Sequence, residues 1–128
     1  MITKVAEVVI PCPPKSKERP RFSRHAYMSK GYKEWKRKVR HYLAEWWTYP
    51  RITGPATVIF HFYGAMRGDL DNLEGAVLDA MQPDPSDSNW PGIIENDSVK
   101  HVYRLGSEFH HDPKSPRIYM CITWEEEG

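Results

Sequence analysis

The chain changes hydrophobic period several times, and each change marks an element. Residues 3–10 carry Val5, Val8, Val9 and Ile10 and predict a first strand that stops at Pro11. The stretch from 13 to 21, Pro-Pro-Lys-Ser-Lys-Glu-Arg-Pro-Arg, is a loop, because proline fixes φ and removes backbone donors. Ser29 then caps a helix running to about residue 47, along which Tyr32, Trp35, Val39, Tyr42, Leu43 and Trp46 recur at helical spacing. Residues 50–55 turn the chain into a second strand, 56–63, where Val58, Phe60 and Phe62 alternate with Thr57, Ile59, His61 and Tyr63. Both of its faces are apolar or aromatic, which predicts an interior strand covered on two sides. A second helix follows, with Leu73, Ala76, Val77, Ala80 and Met81 as its stripe and with Asp71 and Glu74 at the spacing of a capping pair. The polar segment 83–92 is a loop in which Asp84 and Asp87 form turns. Ile93 and Ile94 return the chain to the core, 99–105 reads as a strand, and 117–124 is a final strand with Ile118, Met120, Ile122 and Trp124 on one face. Glu125 to Glu127 form a solvated end. There is no internal repeat.

These elements make an α/β (α+β) fold: a single domain, 1–128, with helices packed on a sheet. The 128 residues are 40% hydrophobic and 12% aromatic, a composition that excludes disorder. No apolar run approaches the roughly 20 residues that span a membrane. Lys4 and Glu7 interrupt the first apolar run, so no signal peptide is expected. Cys12 and Cys121 are far apart and form no CxxC pair, and a reducing cytoplasm is the default setting.

The net charge of +1 conceals a division. Residues 1–51 hold 13 Lys and Arg against 4 Asp and Glu, whereas residues 52–128 hold 5 against 13. The basic half supplies Lys15, Lys17, Arg19 and Arg21 in the loop and Lys30, Lys33, Lys36, Arg37 and Arg40 on the first helix. All nine are candidate contacts to a polyphosphate such as DNA. The acidic half supplies Asp69 and Asp71, an Asp-Leu-Asp flowing straight into a helix, and Asp97 in Glu-Asn-Asp-Ser-Val. Aspartate oxygens are hard donors suited to Mg²⁺ or Mn²⁺, and converging on such an ion they would make a metal-dependent hydrolase. An Asp-x-Asp alone also occurs in small phosphatases, and Asp71 has the bland alternative of capping its helix. His61 reads as a core or edge histidine. His110-His111-Asp112-Pro113 reads as a solvated turn, because no third ligand stands at a metal-binding spacing.

Three segments together carry a resemblance: Lys-Glu-Arg-Pro-Arg at 17–21; Gly-Asp-Leu-Asp-Asn-Leu at 68–73, running into Ala-Val-Leu-Asp-Ala-Met at 76–81; and Asn-Asp-Ser-Val at 96–99. In order and spacing they resemble the RusA-type Holliday junction resolvases. The resemblance implies an α/β fold with a mixed sheet, an intertwined homodimer, and cleavage of four-way (Holliday) DNA junctions by paired symmetric nicks with Mg²⁺ or Mn²⁺. It also implies that Asp69, Asp71 and Asp97 are the catalytic, metal-holding carboxylates, working in a bacterial cell on branched DNA. Two positions depart from the pattern. Gly75 stands where such proteins commonly have a lysine, and Asn96-Asp97 stands where they have two acidic residues. The missing cation makes a junction-binding protein without catalysis the rival reading, unless Lys15, Lys17 or Lys100 replaces it.

Overall fold

The computed structural model of the chain describes residues 2–18, 21–22 and 26–126, and of residues 21, 22, 26 and 27 the backbone alone. The described elements follow in the order β1 (Ile2–Ile10), β2 (Arg21–Phe22), β3 (Ala26–Tyr27), α1 (Lys30–Trp46), β4 (Ala56–Gly64), α2 (Leu70–Met81), β5 (Val102–His111) and β6 (Arg117–Glu126). Four strands build a mixed sheet in the order β1-β6-β4-β5, and β2 and β3 pair as a small separate hairpin. The expected α+β architecture is therefore present, whereas the hairpin within the basic segment was not expected.

Antiparallel strands need only a tight turn between them, as between β5 and β6, but a parallel pair needs a crossover. β4 and β5 are the parallel pair, and α2 is their crossover. The consequence for the site is geometric. α2 starts beyond the C-terminal end of β4 and runs back, so that β5 begins with Val102 opposite Ala56, at the N-terminal end of β4.

One face of the sheet is the core. Ala56, Val58, Phe60 and Phe62 of β4 and Ile118, Met120, Ile122 and Trp124 of β6 are buried against Tyr32, Trp35, Val39 and Leu43 of α1 and Leu73, Ala76, Val77 and Met81 of α2. Emptying a position such as Phe62 would cost about 3–5 kcal/mol. Thr57, Ile59, His61 and Tyr63 stay partly exposed on the opposite face, which corrects the expectation of a strand covered on both sides. Their aromatic rings pack sideways on the neighbouring strands, His61 on His110 and Tyr119 and Tyr63 on His110.

α1 begins as expected, Ser29 Oγ accepting from the Tyr32 N–H. Tyr42 lies on its exposed side and Trp46 is half-buried, so the buried stripe is narrower than the periodicity suggested. Trp47 is half-buried as well, its ring packing on Trp124 with 5.1 Å between centroids. β5 starts at Val102 rather than 99 because the N–H groups of His101 and Val102 both donate to Ser98 O at 2.9 Å, closing a turn first. At its other end His110 and His111 belong to the strand, not to a turn. Cys12 and Cys121 are free thiols. Among the described residues no helix is long and apolar enough to cross a membrane.

Candidate active site

The acidic pair is set up by Gly68. Its φ of +79° belongs to the left-handed region, so the backbone there favours glycine, and Ser16 Oγ lies 2.5 Å from where a Cβ would stand. Asp69 then takes the N-cap position of α2, its carbonyl accepting from the Asn72 and Leu73 N–H groups while its side chain makes no capping bond. Asp71 is therefore not the N-cap residue that the alternative reading made it. Asp71 sits in the first turn, Oδ1 accepting from the Asn72 N–H at 3.0 Å. Both carboxylates are exposed and stand at the positive end of the helix dipole, which favours negative charge. Among the described residues the Asp69 side chain has no hydrogen-bond or ion-pair partner.

The basic loop is docked on this helix. Lys17 N–H donates to Asn72 O at 2.9 Å, and a Cβ at Gly75 would lie 3.2 Å from Lys17 Cδ. The stem of Lys17 therefore occupies the surface that a side chain at 75 would cover. Glu18, the next residue, accepts from the Ser29 N–H and Ser29 Oγ, each at 2.6 Å, tying the loop to the start of α1. Trp35 holds the loop's other end, Nε1 donating to Pro13 O at 2.8 Å. The structure thus brings the Lys-Glu segment against the start of α2, through Lys17, and ties the same loop to α1 through Glu18 and Pro13, contacts that no spacing rule reveals.

Asp97 lies elsewhere. It is exposed, next to the Ser98 turn that precedes Val102, hence at the N-terminal end of β4. Asp69 lies beyond the other end, and the 12 residues of α2 alone put about 18 Å between the two ends. Within one chain the structure brings Asp69 and Asp71 together and leaves Asp97 apart. Among the described residues the group of three potential ligands whose donor atoms all lie within 4.8 Å of one another is a different one, His61, Glu108 and His110.

The basic candidates divide by environment. Lys36 and Arg40 point inward: Lys36 Nζ meets Asp79 Oδ2 at 3.1 Å, beside the Tyr32 hydroxyl that donates to the same oxygen, and Arg40 meets Asp84 Oδ2 at 2.6 Å and donates to Ala80 O. Only 16% and 13% of these two side chains is exposed; they join α1 to the second helix and its following loop. Asp84 is held down to a pKa of about 2, first by the Ser86 hydroxyl and, against some burial, by the Ser86 N–H and Arg40. Lys17, Lys30, Lys33 and Arg37 face solvent and Lys15 is half-buried; Lys33 and Arg37 line a cleft of about 630 Å³ between α1 and the 84–90 loop. Arg19 lies outside the described residues, and of Arg21 the backbone alone is described. Lys100 is exposed near Asp97, at the far end from Asp71.

A pair of exposed carboxylates at a helix start, with a basic loop laid across the same helix, is an arrangement for phosphate chemistry. No curated protein matches the chain. A family model does, over residues 11–123 of the 128, a span that includes the docked loop, both aspartate segments, β4 and β5 whole and most of β6. The chain belongs to the RusA family, that of the endodeoxyribonuclease RusA.

Proposed function

We propose that the protein is a homodimeric, metal-dependent endonuclease that resolves four-way DNA junctions by paired symmetric nicks. Membership of a Holliday-junction-resolving nuclease family gives the reaction class. The observation that carries the finer reading is the exposed Asp69–Asp71 pair beneath the docked basic loop. Hard carboxylate oxygens that the helix does not use for capping fit Mg²⁺ or Mn²⁺, and such an ion, when bound, supplies Lewis acidity and a lowered pKa for water.

Completing the set with Asp97 requires a second copy. Asp69 and Asp71 of one protomer stand at one end of β4 and Asp97 at the other, so a two-fold arrangement would let each protomer's pair meet Asp97 of the partner subunit. Two equivalent sites related by a dyad suit a junction with its own near two-fold symmetry. Lys17 stands in for the lysine absent at Gly75: its stem crosses α2 at that residue, and glycine leaves the stem room. Lys30, Lys33 and Arg37 hold backbone phosphates, which position the junction without reading its sequence.

The test is a labelled synthetic four-way junction beside a matched linear duplex, in Mg²⁺, Mn²⁺ and EDTA, with Asp71→Asn as control. Symmetric nicks confined to the junction, lost in EDTA and in the variant, are expected. Binding without nicking in either metal would instead identify a junction-binding protein, and turnover of a simple phosphomonoester without DNA would identify a phosphatase.

A further inference from the structure

We propose a transition-metal site on the open face of the sheet, formed by His61 of β4 and Glu108 and His110 of β5, with Zn²⁺ as its probe ion. It is separate from the aspartates in place and in chemistry. Residues two apart on a strand share a face, so Glu108 and His110 project together. The parallel register sets His61 opposite Glu108 and Tyr63 opposite His110, which supplies the third donor from the neighbouring strand. His61 Nδ1 and His110 Nε2 lie 2.9 Å apart. Glu108 Oε2 is 3.8 Å from the first and 3.7 Å from the second.

Those separations match a metal's requirements. With bonds of about 2.0–2.2 Å, the donors of a tetrahedral zinc stand about 3.4 Å apart, so sub-ångström adjustments of three side chains would close the triangle around an ion. The rings are already held. His110 stacks on Tyr63 at 4.6 Å and on His61 at 5.1 Å, Tyr119 packs against His61 at 5.5 Å, and the Arg117 guanidinium lies 3.8 Å over Tyr63. Among the described residues no lysine or arginine forms an ion pair with Glu108, whose nearest polar partners are the two histidine rings. Two imidazoles and one carboxylate form a softer set than three carboxylates, suited to Zn²⁺, Co²⁺ or Ni²⁺ rather than Mg²⁺. Their partial exposure leaves a fourth position open to water or to another ligand.

The experiment is zinc titration calorimetry on chelator-treated, full-length protein, with Co²⁺ absorption reporting the ligand geometry. One equivalent per chain is expected, with tetrahedral Co²⁺ bands that Zn²⁺ abolishes. Glu108→Gln and His110→Ala should each weaken Zn²⁺ by more than the roughly 10–100-fold that loss of even an outer partner of a ligand costs. Asp71→Asn and His111→Ala should leave the affinity unchanged. Glu108 is the more exposed ligand, so Glu108→Gln keeps the test valid where a histidine variant fails to fold, as far-UV circular dichroism would reveal. Zinc affinity unchanged in Glu108→Gln and His110→Ala, zinc lost in Asp71→Asn, or no stoichiometric binding at all would each overturn the site and leave a hydrogen-bonded histidine pair.

Discussion

Lys17 and Gly75 act as one unit on the surface of α2. In this reading the cation that offsets developing charge on the phosphate comes from the loop instead of the helix, and its position depends on the missing side chain at 75. Lys17→Ala should therefore reduce junction nicking by about 10²-fold, the scale of losing one preorganised donor, while binding, spread over many phosphate contacts, falls little. Adding Gly75→Lys to that variant should restore most of the rate, measured by single-turnover cleavage of a labelled junction. Failure of rescue with intact binding would mean that Lys17 acts elsewhere. A second residue-scale prediction concerns Asp84. A carboxylate whose folded pKa is about 2 against an ordinary 3.8 stabilises the fold at pH values above the unfolded pKa. That contribution is lost as pH falls through the folded pKa. The gap in urea midpoint between the protein and Asp84→Asn should thus be constant above about pH 5 and shrink progressively toward pH 2; a gap independent of pH would refute it. The sequence showed Asp84 as a turn former, which it is through Ser86, but its pairing with Arg40 spans 44 positions and no local signal encodes it.

At the scale of elements, the start of α1 joins two functions. Ser29 caps the helix and, through Glu18, fastens the basic loop that crosses α2. Ser29→Ala should cost about 0.5–2 kcal/mol in chemical denaturation, the range for an N-cap. It should also lower nicking, because the loop carrying Lys17 loses its anchor; Glu18→Gln, which leaves the cap intact, should affect nicking more than stability. Equal effects of both variants on stability and nicking would argue against a positioning role. Long periodic elements were legible because their signals are local: the Tyr32, Trp35, Val39 and Leu43 stripe of α1, the α2 stripe, the alternation of β4 and the inward face of β6 all lie where the pattern put them. The elements missed share one cause. β5 begins three residues late because Ser98 closes a turn first, and the pairing of β2 with β3 depends on a contact within a proline-containing basic segment. The histidines at 61 and 110 meet only through the register of two parallel strands, 49 positions apart.

Across the whole molecule the crossover from β4 to β5 decides how an active site can be assembled. Asp69, Asp71 and Asp97 were all visible as candidates in the sequence, and their order along the chain suggests convergence; the topology instead sends the first two to one end of the sheet and the third to the other. If the catalytic set is completed across a dimer, two inactive proteins can repair each other. In a mixed dimer of Asp71→Asn and Asp97→Asn chains, one site combines both defects. The other combines an intact Asp69–Asp71 pair with an intact Asp97 of the partner subunit. Random exchange would leave about a quarter of the sites whole. Nicking should return on mixing the two variants after partial denaturation and refolding, and the products should be single nicks rather than paired ones, since no mixed dimer holds two whole sites. A set completed within one chain predicts the opposite, because every site in every dimer would then lack one aspartate and mixing would restore nothing. Light scattering on the same samples separates a failure of this composite site from a failure to pair, since a 15.0 kDa species at micromolar concentration would mean that no dimer formed.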